Sequence, residues 1–566
     1  MALNRLCTSR GEALSGTPWD VYPRPQLRRD SFLNLNGTWE FAVTGGAGIL
    51  TDFDLEITVP FCPESVLSGI GRHYPEGTYL CYRKSFRLPE GFRRDRVLLH
   101  LGAADQVCDI YVNQKLLCHH EGGYTAFSVD ITDALAENNE LLLCVRDSLQ
   151  DRSFPYGKQT MNRGGMWYTP VSGIWQTVWL ESVPEEYIQS LDIRVTGTAA
   201  EITVSPALTG AVLLEGKEYP LIRGKATVAP DTPRLWSPED PWLYRFCVVT
   251  GSDRVESYFA LRTLETKVVN GIPRLCLNGK PYFFHGLLDQ GYWPEGIYTP
   301  PSPESFADDI LAMKRMGFNT LRKHIKIEPE QFYYDCDRLG MVVFQDMVNN
   351  GGYSFLRDTA LPTAGLQKLP DKLLHRDPRT RSRFLQTMEQ TVAQLKNHPC
   401  IVYWTIFNEG WGQFDSAAAY RRLRRLDSSR FIDSTSGWFR GRDTDVKSLH
   451  IYFGPWNKLK PAEKPLVLSE FGGYAYPVEG HIFNPHKAYG YKSCRSREDF
   501  RSSLEELYRS RILPAVPKGL CAAIYTQVSD VEDEINGLLT YDRKVCKADE
   551  ATMRAIGGQL STAIRG

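Results

Sequence analysis

The sequence has no Cys-x-x-Cys pair, and its 13 cysteines, scattered from Cys7 to Cys546, are odd in number. That pattern excludes a zinc ribbon and a fully paired disulfide framework. Cys144, Cys247 and Cys521 sit in apolar, strand-like runs, where buried free thiols are expected. No stretch approaches the run of about 18 apolar residues that spans a bilayer. The first ten residues lack the apolar centre of a signal peptide, so a reducing cytoplasm is the expected location. With 66 Lys and Arg against 67 Asp and Glu, the net charge is −1. Neither nucleic acid nor an anionic membrane has an electrostatic reason to bind such a surface. Internal repeats and low-complexity tracts are also absent.

What is plentiful is aromatic: 12 Trp, 28 Tyr and 26 Phe. Such rings can stack on the apolar face of a sugar, although core packing accounts for most of them. A length of 566 residues calls for more than one core. The chain changes character near residue 265. Before it, short alternating or β-branched runs at 37–43, 96–101, 108–112 and 141–145 are separated by turn residues, as in sheet-on-sheet domains. A boundary is expected near 183–186, and the stretch from there to 266 reads as about seven short strands, the size of an immunoglobulin-like sandwich.

After 265, strands and helices alternate. Strands are expected at 282–288, 318–321, 341–345, 401–407, 431–433, 448–452, 465–468 and 521–525. Helices are expected at 303–316, 329–339, 378–396, 416–426, 496–513 and 548–563, with Ser302 and Asp377 as N-caps and Pro378 in a first helical position. Eight strands in this alternation predict a closed (β/α)₈ barrel.

Chemistry in such a barrel sits where strands end. The apolar run 401–407 stops abruptly at Asn408-Glu409-Gly410-Trp411, and the run 465–468 is followed by Ser469-Glu470-Phe471-Gly472. A poorly solvated carboxyl at the first position favours the protonated form that a general acid needs. Two carboxylates about 5–5.5 Å apart across the mouth would form a nucleophile and acid/base pair. Glu470 is expected to be the nucleophile and Glu409 the general acid/base. A lone Glu is ordinarily a solvated loop residue, but two of them ending apolar strands on the active face reverse that expectation. No His-x-His or His-x-x-x-His pair lies on the barrel strands, so neither a catalytic metal nor another cofactor is expected.

These segments resemble glycoside hydrolase family 2, the β-galactosidase, β-glucuronidase and β-mannosidase family, across nearly the whole chain. The resemblance is carried by Leu35-Asn36-Gly37-Thr38-Trp39, Leu235-Trp236-Ser237-Pro238, Gly317-Phe318-Asn319-Thr320-Leu321-Arg322, Asn408-Glu409 and Ser469-Glu470-Phe471-Gly472, in that order. It implies a multidomain chain: an N-terminal jelly-roll β-sandwich (1–183), an immunoglobulin-like β-sandwich (184–266) and a catalytic (β/α)₈ barrel (267–566). It also implies that Asn408 binds the sugar 2-hydroxyl, Arg322 lies near the nucleophile, and His450 and Tyr452 stand beside it. His324, Asp289, Asp346, Trp438 and Gln527 are further pocket candidates, with packing or capping as their ordinary alternative.

The sugar is less defined. Lys323 and Lys326 replace residues usual after the strand-2 Arg in the galactosidase and glucuronidase branches, and either could supply a cation for a uronate. Glu534 and Asn536 stand where glucuronidases present Asn-x-Lys, and an acid there should repel a uronate. A retaining exo-β-glycosidase with β-galactosidase-like activity is the first expectation. β-Glucuronidase, β-galacturonidase or β-mannosidase activity is the alternative, and a non-catalytic carbohydrate-binding protein is the alternative of another class. The partner is a carbohydrate, and self-association into a homo-oligomer is left open. Long loops at 348–375 and 471–491 are expected to wall the pocket.

Overall fold

The computed structural model of the chain describes residues 3–361, 366, 370–438, 441–453 and 456–566. Of the expected wall 348–375, residues 362–365 and 367–369 therefore lie outside the described residues.

The N-terminal part is a two-layer β-sandwich. One six-stranded sheet runs Leu55–Val59, Gly37–Thr44, Tyr79–Phe86, Asn139–Arg146, Val107–Val112, Lys115–Glu121. A four-stranded sheet runs Leu33–Asn34, Val178–Val183, Arg96–Leu101, Phe127–Asp130. Alternation along the strands turns Trp39 and Phe41 from one sheet and Leu99 and Leu101 from the other into a shared core. A second sandwich follows, with three strands (Ser190–Thr196, Ala199–Ser205, Lys225–Val228) facing four (Lys217–Leu221, Gly210–Leu214, Tyr244–Thr250, Asp253–Phe259). These are the seven short strands expected from the turn spacing.

The hairpin Leu264–Val269 and Ile272–Leu277 then packs under the barrel, burying Leu275 in the barrel core while Arg274 donates to the Val516 carbonyl at 2.7 Å. The barrel strands are β1 (Phe284–Asp289), β2 (Thr320–Lys323), β3 (Val342–Asp346), β4 (Ile401–Asn408), β5 (Phe431–Ser436), β6 (Lys447–Ile451), β7 (Leu466–Phe471) and β8 (Leu520–Tyr525). They pair in parallel in one sheet ordered β5-β4-β3-β2-β1-β8-β7-β6. β5 and β6 close it through an Asp445 amide to Ile432 carbonyl bond of 2.9 Å and a Ser436–His450 side-chain bond of 2.8 Å. Every residue of β4 and β7 is buried, as strands covered on both faces require.

The helices outside are α1 (Glu304–Arg315), α2 (Glu330–Leu339), α3 (Pro378–Leu395), α4 (Ser416–Leu426), α5 (Arg497–Leu507) and α6 (Glu550–Ala563). Asp377 caps α3, accepting from the Thr380 amide at 2.8 Å. Ser302 does not cap α1: the Ser305 amide is taken by the Ser302 carbonyl, and the Ser302 hydroxyl is buried without a partner. The helix expected through 513 stops being α-helical after Leu507; the chain widens into a π turn at Tyr508–Ile512 and tightens into a 3-10 turn at Leu513–Lys518, which contains Pro517. Among the described residues no helix is long and apolar enough to cross a membrane.

One connection of the first sandwich leaves it altogether. Residues 147–172, between strand Asn139–Arg146 and the short strand Gly173–Ile174, form an arm that lies on the barrel mouth. The Tyr156 amide donates to the Asn349 carbonyl at 3.1 Å, and the Tyr156 hydroxyl to the Gly351 carbonyl at 2.8 Å. Arg163 pairs with Asp533 at 3.2 Å, and Trp167 stacks on Trp411 with centroids 5.0 Å apart.

Candidate active site

At the end of β4 the chain turns sharply. Glu409 has φ +50°, a left-handed conformation uncommon for a residue with a side chain. Its amide donates to the Ser436 carbonyl and the Trp411 amide to the Asn408 carbonyl, both at 2.9 Å. Gly412 completes the turn at φ +64°, where a Cβ would stand 2.1 Å from the Asn350 carbonyl oxygen. The turn aims the Glu409 carboxylate across the mouth towards β6 and β7.

Glu470 lies within β7 and meets it there. His450, on β6, joins the two: its Nδ1 is 2.7 Å from Glu409 Oε1 and 3.5 Å from Glu470 Oε2, while Nε2 faces Ser436 Oγ at 2.8 Å. These partners suit the tautomer with its proton on Nδ1. The Tyr452 hydroxyl donates to Glu470 Oε2 at 2.6 Å, and the Tyr452 ring stacks on Tyr491 at 3.7 Å. Burial first, then the Glu470 charge, holds the Tyr452 phenol well above its ordinary range, so it stays a donor.

Arg322, fully buried on β2, is the centre of the floor. Its Nη1 donates to Glu470 Oε1 and the Ser469 carbonyl at 3.0 Å, its Nη2 to Asn408 Oδ1 at 2.8 Å, and its Nε to Asp346 Oδ1 at 2.9 Å. Burial pulls the guanidinium down, but Asp346 and Glu470 more than offset it and the net shift is upward. Asp346 is conversely held below the ordinary carboxylate range: burial would raise it, and Arg322 and His324 outweigh that. His324 Nδ1 lies 2.7 Å from Asp346 Oδ2. Burial, then the Lys158 charge, pushes His324 down to about 4, so it is neutral at pH 7.

Trp438 meets His450 edge-on at 5.6 Å, and its indole nitrogen has no partner. The opposite wall is a chain of amides and acids. Gln527 donates to Asn536 at 2.9 Å, and Asn536 donates to Glu534 at 2.9 Å. Glu534 also accepts from the Tyr168 hydroxyl of the arm. Burial raises the Glu534 carboxyl above its usual range against the lowering charge of Lys158.

Glu409, Glu470, Asn408, Arg322, His324, Asp346, His450, Tyr452 and Trp438 are thus connected by hydrogen bonds and ring contacts, while Gln527 belongs to the separate chain with Asn536 and Glu534. Asp289 turns away from both. Its carboxylate takes Lys323 at 2.6 Å, and Lys323 also donates to Glu328 at 2.9 Å. Lys326 is spent on Glu328 and on the Gly291 and Tyr298 carbonyls. Neither lysine is free to receive a sugar carboxylate, the role the sequence left open to them. Lys158, Trp167 and Tyr168 come from the arm and escaped sequence reasoning. The signal available was the length and aromatic content of 147–172 between two strands.

One donor atom from each of Glu409, His450 and Glu470 lies within 4.8 Å of the other two. The spacing admits a cation, but the Arg322 Nη1 already stands 3.0 Å from Glu470 and 3.4 Å from His450. A metal there would sit against a fixed positive charge.

Comparison with known proteins places the chain in a family. The family model for the glycosyl hydrolases family 2 TIM barrel domain matches residues 271–548, and that for the glycosyl hydrolase 2 galactose-binding domain-like domain matches 75–161. The chain belongs to glycoside hydrolase family 2. Within family 2 it is 23% identical over 435 residues to a β-galactosidase of Thermoanaerobacter pseudethanolicus, covering 71% of this chain and 54% of that one. It thus spans about half the length of that relative. To Homo sapiens β-glucuronidase it is 24% identical over 505 residues, 76% of this chain and 72% of that one. Among solved structures, a Ruminococcus gnavus β-glucuronidase in complex with D-glucuronic acid has a TM-score of 0.72 at 18% identity, over 96% of this chain and 100% of that one. A family 2 β-galacturonidase from Eisenbergiella tayi bound to galacturonate has 0.68 at 17% identity, over 96% and 99%. These likenesses fix the fold.

Proposed function

We propose that the protein is a retaining exo-β-glycosidase that releases a terminal neutral sugar, a β-galactoside first, through a covalent glycosyl-enzyme. The observation that carries the reading is the Glu409–Glu470 pair at the ends of β4 and β7, with carboxylate oxygens within 4.8 Å of each other. Oxygens that close accord with the separation of about 5–5.5 Å used when one carboxylate attacks directly, and not with the roughly 6.5–9.5 Å of a pair that activates water for a single inversion. Glu470 attacks the anomeric carbon as Glu409 gives its proton to the departing glycosidic oxygen. Glu409 then takes a proton from water, which attacks the same carbon and frees Glu470. Arg322 and Tyr452 orient Glu470, and Asn408 faces the sugar's C2 side. The arm 147–172 and the residues following β3 and β7 wall the mouth, which supports action on chain ends.

A neutral glycone is favoured by the charges lining the site. Glu470, Asp346 and Glu534 stand against Arg322 and Lys158, with Lys323 and Lys326 occupied by their own partners. A sugar carboxylate would enter a negative field. Galactose comes first among neutral sugars because the Thermoanaerobacter relative is a β-galactosidase. A uronide is the second reading, favoured by the unpaired ammonium of Lys158. On a panel of nitrophenyl β-galactoside, glucoside, mannoside, glucuronide and galacturonide, the galactoside should show the highest kcat/KM. A strict preference for a uronide would overturn the neutral-sugar reading, and no turnover of any member would leave the binding-protein alternative standing.

Tyr452→Phe removes the hydroxyl that donates to Glu470 and leaves the ring stacked on Tyr491. A hydrogen bond to a charged group is worth about 1.5–3 kcal/mol, so kcat should fall about 10- to 150-fold. An unchanged kcat with an unchanged melting temperature would show that the phenol plays no part in positioning Glu470.

A further inference from the structure

Of the charged residues on the arm, two are paired across to the barrel, while Asp147, Arg152 and Lys158 make no ion pair among the described residues. Arg163 meets Asp533, and Asp151 meets Arg383. Lys158 is only 7% exposed, yet among the described residues its ammonium makes no hydrogen bond and no ion pair. It stands over two rings, Tyr168 and Trp411, each with its centroid 5.7 Å from Nζ. An ammonium flanked by ring faces and without an oxygen acceptor keeps its three hydrogen-bond donors free for a ligand.

The backbone around Lys158 is fixed. Its carbonyl accepts from the Tyr168 amide at 3.0 Å. Gly157, at φ +63°, is pressed against the Ile325 carbonyl and the Tyr124 and Tyr298 hydroxyls, where a Cβ would sit 3.1–3.2 Å away. Ile325 follows His324 just beyond β2, so the arm is seated on the barrel and not hung over it. The position of Nζ is bounded from several sides. Trp411 is two residues past Glu409. His324, whose imidazole feels the Lys158 charge, bonds Asp346 at 2.7 Å. Tyr168, over whose ring Nζ stands, donates its hydroxyl to Glu534 on the wall beyond β8. Lys158 therefore stands on the Glu534 side of the mouth. The two make no ion pair, so a donor and an acceptor face the site separately.

We propose that Lys158 is a specificity-determining residue of the barrel site, supplied by the neighbouring domain, whose ammonium binds a hydroxyl on the glycone edge remote from C1 and C2 opposite Glu534. C1 is taken up by Glu409 and Glu470 and the C2 side by Asn408, so the edge left to face Lys158 and Glu534 bears the C3, C4 and C6 groups. A hydroxyl there can accept from the ammonium and donate to the carboxylate at once. A sugar carboxylate can do only the first and meets Glu534 with like charge. The inference rests on the glycosidase reading and names how that site reads its sugar.

The test compares nitrophenyl β-galactoside with its 3-, 4- and 6-deoxy analogues in wild type, Lys158→Met and Lys158→Arg. Methionine keeps an unbranched stem against Tyr168 and Trp411 while removing the charge; thermal melting checks that each variant folds. Wild type should lose at least about tenfold in kcat/KM for one deoxy analogue, the value of a hydrogen bond to a charged group. Lys158→Met should be slower on the parent galactoside and should lose less than about threefold for that same analogue, because its discrimination is already gone. Lys158→Arg should restore part of it. A Lys158→Met variant that slows all four substrates by one common factor would overturn the proposal, since a purely structural role acts on every substrate alike. A selective loss of galacturonide turnover would also overturn it, by making the ammonium a carboxylate receptor. If wild type turns over no glycoside, the parent reading fails, and this inference falls with it.

Discussion

Glu470→Gln should abolish turnover, with kcat lower by about 10⁴- to 10⁶-fold, the usual consequence of removing one member of a concerted catalytic group. The amide is nearly isosteric, and with its oxygen towards Arg322 its NH2 can donate to the Tyr452 hydroxyl oxygen. What is lost is the charge that attacks carbon, which is also one of the two carboxylates paired with Arg322. Little instability should follow if the amide oxygen turns towards Arg322. Folding and catalysis can then be separated by melting the variant beside wild type. The smaller Glu470→Ala goes further: it opens space on the face from which attack occurs. Azide added to that variant should form an α-configured glycosyl azide, because a single displacement inverts the anomeric carbon where two in succession would restore it. Undiminished turnover in Glu470→Gln would end the assignment. A β-configured azide from Glu470→Ala would place the nucleophile elsewhere.

Arg322→Met should cost both stability and activity, and the two losses should respond differently to pH. The guanidinium is fully buried and shares its donors among Glu470, Asn408, Asp346 and the Ser469 carbonyl. Removing one member of a buried charge network commonly costs about 3–5 kcal/mol, because the remaining charge is left uncompensated. Asp346 supplies the sign. In wild type its folded carboxyl is held below its unfolded value, so it contributes stability above the unfolded pKa and loses that contribution as pH falls through the folded one. The variant lacks this contribution. The stability gap between wild type and Arg322→Met should be widest at neutral pH and should narrow in acid. Combining Arg322→Met with Glu470→Gln should recover part of the loss, since one of the orphaned charges is gone. Denaturant midpoints across pH would show it. A gap that does not change with pH would mean that lost packing, and not lost charge, sets the cost. Lysine at 322 should rescue little, because an ammonium cannot offer the guanidinium's fork to three side chains.

The parts of this molecule that can be read from sequence are those decided by local pattern. β4 and β7 announce themselves because strands buried on both faces must be apolar throughout, and the glutamates interrupt that pattern where the strands end. The seven strands of the second sandwich follow from their turn residues. β2 was harder. Its expected span, 318–321, stops short of the observed Thr320–Lys323 because the charged pair Arg322-Lys323 ends the apolar run. Each is buried against acids brought from other strands, and no window of sequence contains those partners. β5 to β7 offer little helical punctuation: among the described residues only the short turn Trp456–Lys458 lies between β6 and β7. The Ser302 cap failed on competition, since a backbone carbonyl reached the amide first. Lys158 was out of reach because docking places it, not the pattern around it.

That docking has a bearing on assembly. The mouth of the barrel is finished by a segment that folds with another domain, more than a hundred residues upstream of β1. Neither unit by itself carries all the residues of the proposed sugar site. Turnover by the proposed enzyme would report that the two have met in register, so a barrel whose strands are all in place but whose neighbour is misdocked would look native by its secondary structure and remain silent toward its substrate.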